Sequence, residues 1–309
     1  MYRKIMGFLE AWKESEHRKP LILQGARQVG KTYSILEFGR THYENVAYFN
    51  FETNPKLNKT FEENISPDYL IPILSHIAGQ TIVTEKTLIV FDEVQLCERA
   101  LTSLKYFCEN APDYHIIVAG SLLGVAVNRA KFSFPVGKVD MKTLYPMDME
   151  EFMLALGEDD LVEQIKKCFQ TDTPLPSALH DAAMQLYRQY LVVGGMPECV
   201  MQFAETKDYI LVRHTQDTIL ASYLNDMSKY NNLNEIKKTR LAYDNITVQL
   251  SKKNTRFQYK LIKKGGRASE FEKAIEWLCL SGIVSQVYKV EQIKKPLENY
   301  RDIDAFKIY

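Results

Sequence analysis

An eight-residue stretch near the N-terminus combines two glycines with a lysine and a threonine. Residues 25–32 read GARQVGKT, which matches the template GxxxxGK[ST] at every fixed position. In this template the loop backbone surrounds phosphate groups, the lysine reaches the β- and γ-phosphates, and the hydroxyl binds Mg²⁺. The apolar stretch LILQ precedes the loop and a helical pattern follows it, so backbone N–H groups and a helix N-terminus would face an anion. The pattern predicts a nucleotide site, against the alternative of a polar turn with an exposed lysine.

The predicted nucleotide contacts are the loop residues and the residue that follows them. Lys31 is also predicted to be catalytic, and the Thr32 hydroxyl is predicted to bind Mg²⁺. The loop itself does not distinguish ATP from GTP, although the sequence contains no NKxD-like guanine motif. The predicted contacts are Gly25, Ala26, Arg27, Gln28, Val29, Gly30, Lys31, Thr32 and Tyr33.

An acidic pair follows a second apolar stretch, in TLIVFDE at residues 87–93. A phosphate loop requires a carboxylate at the end of a neighbouring strand to hold hydrated Mg²⁺, and hydrolysis requires a base for water. Asp92 is therefore the predicted metal ligand, and Glu93 is the predicted group that polarises the attacking water. The alternative is that the pair caps a helix after a buried strand.

A third apolar stretch, HIIVAG at residues 115–120, ends directly before Ser121. In sheets of this kind the strand between the phosphate-loop strand and the aspartate strand places a small polar residue near the γ-phosphate. Ser121 is therefore a candidate catalytic residue that orients water. An N-cap role for Ser121 in the next helix is equally consistent with the sequence.

The chain up to residue 146 alternates β-rich apolar stretches with amphipathic ones. Such alternation predicts an α/β core with a mainly parallel sheet, because parallel strands require helical crossovers. The predicted domains are an ATPase core at 1–146, a helical lid at 147–227 and a winged-helix-like module at 228–309. The five predicted strands are LILQ at 21–24, VAYFNF at 46–51, TLIVFD at 87–92, HIIVAG at 115–120 and VDMKTLY at 139–145.

The two later segments carry their own helix signals. Asp148 followed by Glu151 predicts the start of a lid helix. In the last segment a helix is predicted at 234–250, followed by FQYKLIKK and by ASEFEKAIEWLCLSG, where Ser269 and Glu272 form a capping-box pattern. Strands are predicted at 283–290 and 305–309. Three helices followed by a β-hairpin is the order of a winged helix.

Several of these motifs together resemble a known family. GARQVGKT, IVFDEVQLCERALTSLKYFCENAPDYHIIVAGSLLGVAV, SFPVGKVDMKTLYPMDMEEF and YLVVGGMPECV are similar to the bacterial and archaeal AAA-type ATPases that carry a C-terminal domain of unknown function. The resemblance implies an ASCE-type P-loop core, a helical lid, a winged-helix-like module and a preference for adenine. In many relatives a nuclease-like domain follows. This chain ends at FKIY, about where that domain would begin. Either the chain is truncated before the domain or this member lacks it, so nuclease activity is not predicted.

The resemblance also suggests roles for residues outside the two main motifs. VGGMPE is similar to the GxP element with which related lids approach nucleotide, so Gly195 and Pro197 are candidate contacts, against the alternative of a helix–helix turn. Arg129 is a candidate arginine finger. Relatives often have Gly-Arg where this chain has Gly137-Lys138, and a lysine cannot supply the bidentate fork of an arginine.

The balanced net charge conceals a basic region in the last segment. The chain has 39 basic and 39 acidic residues, yet residues 229–267 contain eleven Lys and Arg against two acids. The region 252–267 could therefore bind the phosphate backbone of duplex DNA. Three glutamates in the following helix would oppose such contact: Glu270, Glu272 and Glu276.

Composition excludes several other classes of protein. The five cysteines are scattered without a CxxC pair, which argues against a disulfide framework or a zinc site. Because no apolar run has the length of a membrane span, a cytoplasmic protein without a membrane partner is predicted.

The predicted function is Mg²⁺-dependent ATP binding with slow hydrolysis, which couples nucleotide state to lid and winged-helix movement. The alternatives are an ATP-switched DNA-binding regulator with incidental hydrolysis and a scaffold whose self-association is gated by ATP or ADP.

Overall fold

The computed structural model describes residues 1–120, 134–230, 233–252 and 256–309. The chain divides into two units, Met1–Thr218 and Ile219–Tyr309. The finer boundaries predicted at residues 146 and 227 stay predictions. None of the helices in the described ranges is both long and apolar enough to cross a membrane.

The first unit contains the predicted five-stranded sheet. All of its neighbouring strands pair in parallel, in the order β2-β3-β4-β1-β5. The parallel α/β core predicted from the sequence is therefore confirmed. The strands are β1 (Leu21–Gln24), β2 (Asn45–Asn50), β3 (Thr87–Asp92), β4 (His115–Gly120) and β5 (Asp140–Thr143).

Alternation along the strands fills both faces of this sheet. In β3 the side chains of Ile89 and Phe91 belong to one buried cluster, whereas those of Leu88 and Val90 belong to another. Successive side chains of a strand point to opposite faces, so an unbroken apolar strand requires a cover on both sides. Helices supply that cover: α1 (Ile5–Lys13), α2 (Lys31–His42), α3 (Lys56–Glu63), α4 (Pro67–Ala78) and α5 (Glu98–Asn110).

The sheet topology determines where polar residues can meet. Because the strands are parallel, their carboxyl ends lie at one edge, which in folds of this kind is the edge where ligands bind. Gln24 at the end of β1 aligns with Gly120 at the end of β4, and Asn50 aligns with Asp92 at the end of β3. As predicted, β4 lies between β1 and β3. Ser121, which follows β4, and Arg129 lie outside the described residues.

A helical segment completes the first unit. The predicted lid-helix start is confirmed as a capping box, in which Asp148 accepts from the Glu151 backbone and Glu151 accepts from the Asp148 backbone. Gly194 follows the third helix of the segment and Pro197 begins the fourth, as expected. The helices are α6 (Met149–Ala155), α7 (Asp159–Gln170), α8 (Ser177–Val193), α9 (Pro197–Thr206) and α10 (Tyr209–Tyr230), the last of which continues past Thr218 into the second unit.

The second unit differs from its prediction in two details. FQYKLIKK forms only a short 3₁₀ turn, Tyr259–Leu261, and the following helix begins one residue before Ser269 with no side-chain cap. The antiparallel hairpin is present, but the winged-helix assignment stays a prediction. The regular elements are α11 (Leu233–Leu250), α12 (Ala268–Leu280), β6 (Gln286–Val290) and β7 (Arg301–Ile308).

Candidate functional site

The loop GARQVG connects β1 to α2 by a path that requires glycine at both ends. Gly25 has a φ of 150°, and a Cβ there would lie 2.2 Å from the carbonyl oxygen of Leu144. Gly30 has a φ of 89° and caps α2 without a side-chain hydrogen bond. The first N–H groups of a helix lack intrahelical partners, so the N-terminus of α2 offers donors to an anion.

Lys31 is buried at the start of α2, where only 7% of its surface is exposed. Its ammonium donates to the carbonyl oxygens of Gly25 and Ala26, at 2.9 and 2.7 Å. Burial lowers the pKa of Lys31 to about 8, against the opposing effect of the nearby Glu93 and Asp92 carboxylates. The loop therefore encloses a cation that would gain from a phosphate partner, because burying a charge without strong partners is unfavourable.

Asp92 lies at the centre of a hydrogen-bond group that joins strands β2 and β3 to helix α2. Its Oδ2 accepts from the Thr32 hydroxyl at 2.8 Å and from the Tyr48 hydroxyl at 2.7 Å. Its Oδ1 accepts from the Glu93 backbone N–H at 2.9 Å. The two predicted metal ligands, Thr32 and Asp92, are therefore brought together although 60 residues separate them in the chain.

The donor set at this point suits a hard cation. Mg²⁺ prefers oxygen ligands and is usually bound by one or two carboxylates together with substrate phosphates and water. One carboxylate and one hydroxyl, converging beside a phosphate-loop motif, fit that pattern. The described residues contain no group of three or more His, Cys, Asp and Glu side chains that could hold a metal by themselves.

Glu93 occupies a left-handed backbone conformation, with a φ of 51°, immediately after β3. This conformation is uncommon for a residue other than glycine, and strained residues of this kind cluster at functional sites. The amide of Gln95 donates to Oε2 of Glu93 and restrains the carboxylate.

These residues line a single cleft of about 450 Å³ in the first unit. Its volume falls within the range of about 300–1,000 Å³ that is usual for small-molecule sites. Nine predicted site residues line it together with four others that the sequence did not indicate. The predicted ones are Arg27, Gln28, Gly30, Lys31, Thr32, Tyr33, Asp92, Glu93 and Pro197, and the others are Met1, Arg3, Glu198 and Met201.

Gly195 has a structural explanation that does not involve nucleotide. A Cβ at this position would lie 2.1 Å from the carbonyl oxygen of Met147, whose backbone N–H donates to the Gly195 carbonyl at 2.6 Å. The Tyr190 hydroxyl donates to the same Met147 carbonyl at 2.8 Å. The close backbone contact accounts for glycine here, whereas a nucleotide contact by Gly195 stays a prediction.

We expect Gly195→Ala to lower the free energy of unfolding by about 1–3 kcal/mol, because the added methyl group overlaps backbone that cannot rotate away. Denaturant titration measures this loss. Gly7→Ala is the matched control, since no atom lies within 4 Å of a Cβ on Gly7 and alanine in a helix is favoured by about 0.5–1 kcal/mol. Unchanged stability with weaker ATP binding would instead assign Gly195 to nucleotide contact.

The sequence did not indicate two polar contributors to the site. Tyr48 lies on β2, and only the pairing of β2 with β3 brings its hydroxyl to Asp92. Burial raises the pKa of Tyr48 to about 12, so the hydroxyl remains a donor at neutral pH. Arg3 precedes the first helix and reaches the loop through tertiary contacts alone. The sequence contained one clue to Tyr48. Alternation along VAYFNF places the Tyr48 side chain on the same face of the strand as that of Asn50.

The predicted arginine finger cannot be placed, because Arg129 lies outside the described residues. Lys138, which stands where relatives often have arginine, pairs with Glu109 at 3.0 Å. Its side chain is 42% exposed and does not line the cleft.

Two parts of the chain match known family models. Residues 17–153 match the family model described as an AAA domain, and residues 184–309 match a Domain of unknown function (DUF8612). A comparison with curated proteins finds no match.

Two solved structures share the fold across almost the whole chain. A Walker-type ATPase of Pyrococcus abyssi is 14% identical, with a TM-score of 0.58 over 99% of this chain and 93% of that one. The Aeropyrum pernix ORC2 protein, solved as ADPNP-ADP complexes, is 13% identical, with a TM-score of 0.51 over 99% of this chain and 90% of that one. Residues 17–153 therefore match an AAA domain, and residues 184–309 match a domain of unknown function.

Proposed function

We propose that the cleft binds ATP with Mg²⁺ and hydrolyses it slowly. The observation that carries this proposal is the convergence of Lys31, Thr32, Asp92 and Glu93 at one edge of the sheet, with the Thr32 hydroxyl 2.8 Å from the Asp92 carboxylate. The adenine preference rests on the family resemblance and on the ADPNP-ADP complexes of the Aeropyrum pernix ORC2 protein.

Each group has a distinct task in this proposal. The Lys31 ammonium exchanges the carbonyls of Gly25 and Ala26 for phosphate oxygens, and backbone N–H groups of the loop and of the start of α2 bind the same phosphates. Thr32 and Asp92 hold Mg²⁺, which when bound neutralises charge on the β- and γ-phosphates. The Glu93 carboxylate orients water and accepts its proton as the γ-phosphoryl group is transferred. Ser121 and Arg129 stay candidates for positioning water and for stabilising the transition state.

We propose that the helical segment changes position with the nucleotide state of the cleft. Pro197, Glu198 and Met201 at the start of α9 line the cleft together with residues of the loop, so bound nucleotide would contact both. We propose that this contact moves α9 relative to the loop and transmits the change towards the winged-helix-like module.

Titration of the full chain with MgATP, with MgADP and MgGTP in parallel, tests nucleotide binding and base preference. No binding of either triphosphate would remove the proposal.

Duplex DNA is a second candidate partner, favoured by the exposure of the basic side chains in the described part of 252–267. Lys263 pairs with Glu270 at 3.2 Å, so this pair reduces the available charge. The exposed basic residues are Lys252, Arg256, Lys260, Lys263, Lys264 and Arg267.

We expect DNA affinity to fall steeply with salt, because phosphate contacts release counterions. Replacing Lys260, Lys264 and Arg267 together with alanine should reduce the slope of log K against log[salt] by up to about 3. Fluorescence anisotropy at several salt concentrations measures the slope. A triple alanine variant of exposed lysines in the first unit serves as the charge-matched control: Lys56, Lys59 and Lys105. Affinity that is insensitive to salt, or equally weakened in both variants, would refute contact through this region.

Nucleotide-gated self-association is the remaining proposal. Light scattering of the full chain with and without MgATP distinguishes it, because it requires a change in mass. A monomer in both states would refute it.

A further inference from the structure

Arg3 lies between the phosphate loop and the helical segment, and its guanidinium donates to three separate parts of the chain. Nη1 donates to the Val29 carbonyl at 2.8 Å, Nη2 to the Tyr145 carbonyl at 2.8 Å, and Nε to Oε1 of Glu151 at 3.0 Å. Arg3 is only 4% exposed. A buried guanidinium is always charged and is costly unless its donors are satisfied, so this arrangement is a specific one.

The contact with Val29 determines the orientation of the peptide that follows it. A trans peptide holds its C=O and N–H in one plane, pointing in opposite directions. By holding the Val29 carbonyl, Arg3 therefore aims the N–H of Gly30 away from itself. That N–H belongs to the set of donors that a phosphate loop directs at its ligand. Arg3 thus orients a phosphate-binding donor without belonging to the GxxxxGK[ST] motif.

The contact with Glu151 connects the same guanidinium to the helical segment. Glu151 is 5% exposed and also accepts from the Lys4 backbone at 2.7 Å. It forms the capping box of α6 with Asp148. The next residue, Phe152, stacks on Phe203 of α9 with ring centroids 6.2 Å apart. Arg3 is therefore joined through α6 to the helix whose first turn lines the cleft.

Gly30 approaches α9 as well as Arg3. A Cβ on Gly30 would lie 3.5 Å from Arg3 Nη1 and 3.6 Å from Cγ of Pro197. The loop therefore lies close to both the guanidinium and the first residue of α9. A change in the loop on nucleotide binding must be accommodated at both contacts, since packed groups shift between discrete arrangements rather than deform continuously.

We propose that Arg3 is a positioning residue that couples the phosphate loop to α6 and α9, so that nucleotide binding is transmitted to the helical segment. The inference rests on the proposed function, because it requires nucleotide in the cleft. Arg3 acts through the Val29–Gly30 peptide and through Glu151.

The test compares Arg3→Gln, Arg3→Lys and Lys4→Gln in the full chain. Lys4 is the matched control, since its ammonium pairs with Asp148 and Glu150 at the same helix start but is 43% exposed. Lysine at position 3 keeps the positive charge beside Glu151 and so favours folding, yet it cannot reach three acceptors in a fork. Thermal unfolding establishes that each variant is folded. Nucleotide titration, phosphate release and hydrogen exchange of α6 and α9 are then measured with and without MgATP.

We expect MgATP to slow exchange in α9 of the wild type and of Lys4→Gln. In both Arg3 variants that slowing should be lost. Their kcat should fall by roughly 10- to 100-fold, the effect of small misplacements remote from the chemistry, with a much smaller change in KM. If Arg3→Gln does not fold, Arg3→Lys alone decides the result.

Two other results would overturn the inference in different ways. A wild type that binds MgATP, together with Arg3 variants that respond like Lys4→Gln, would refute the coupling role and leave the proposed function intact. A wild type that binds no MgATP would refute the proposed function and the coupling role with it.

Discussion

Replacing Lys31 with alanine should abolish measurable MgATP binding. Lys31 is buried within the loop, and no other lysine lines the cleft among the described residues. Removing one partner of a buried charge pair costs about 2–5 kcal/mol, so we expect affinity to fall by on the order of 100-fold or more. Calorimetric titration measures the loss. Lys138→Ala, which removes an exposed lysine paired with Glu109, should bind like the wild type.

The same lysine gives MgATP binding a pH dependence whose sign is fixed. Burial lowers the pKa of Lys31 to about 8 in the protein without nucleotide. Below pH 8 the ammonium is already formed, whereas above it binding must also take up a proton. Affinity should therefore fall as pH rises above about 8, approaching tenfold per pH unit.

A series of titrations between pH 7 and 10 measures this dependence. Lys138→Ala should show the same decline as the wild type, because its lysine is not in the cleft. Affinity that stays constant to pH 10 would contradict a phosphate contact by a buried Lys31 ammonium.

Replacing Glu93 with glutamine should separate binding from hydrolysis. The amide retains the shape of the side chain but cannot accept a proton from water, and loss of a general base typically costs 10²- to 10⁴-fold in rate. We therefore expect phosphate release to fall by roughly that factor. MgATP affinity should stay within a few-fold of wild type, since Lys31, Thr32 and Asp92 are unchanged.

The control for this substitution is Glu98→Gln, on the first turn of α5, where the same change of charge occurs outside the cleft. Single-turnover phosphate release with saturating protein measures the chemical step directly. Hydrolysis by Glu93→Gln at the wild-type rate would refute the base assignment. Loss of binding in this variant would show instead that Glu93 holds the nucleotide.

Local patterns were sufficient to predict the centre of the site. GARQVGKT follows an apolar strand and leads directly into a helix. TLIVFD is an apolar strand that ends in a carboxylate. Parallel strands place their carboxyl ends at one edge, so Thr32 and Asp92 could be expected to meet there. The structure places their oxygen atoms 2.8 Å apart.

Contacts between distant parts of the chain could not be predicted in the same way. Arg3 and Glu151 are 148 residues apart, and no periodic pattern relates them. The approach of Gly195 to the Met147 backbone likewise depends on the packing of the helical segment. A single sequence records which residue types occur, but not which remote backbone atom each of them meets.

The segment FQYKLIKK shows a different limit. Its apolar and basic residues suggested a helix, yet only Tyr259–Leu261 forms a 3₁₀ turn. A helix this short depends on tertiary packing of an apolar face rather than on helix propensity. Gly265 and Gly266 directly follow, and glycine further disfavours helix. The helix begins only at Ala268.

Steady-state phosphate release from MgATP tests the central claim most directly, with wild type, Lys31→Ala and Glu93→Gln measured side by side. The account predicts slow release by the wild type that is lost in both variants, while MgATP binding is lost only in Lys31→Ala. Phosphate release that is the same in all three proteins would contradict the claim, because it would place hydrolysis outside the cleft formed by these residues.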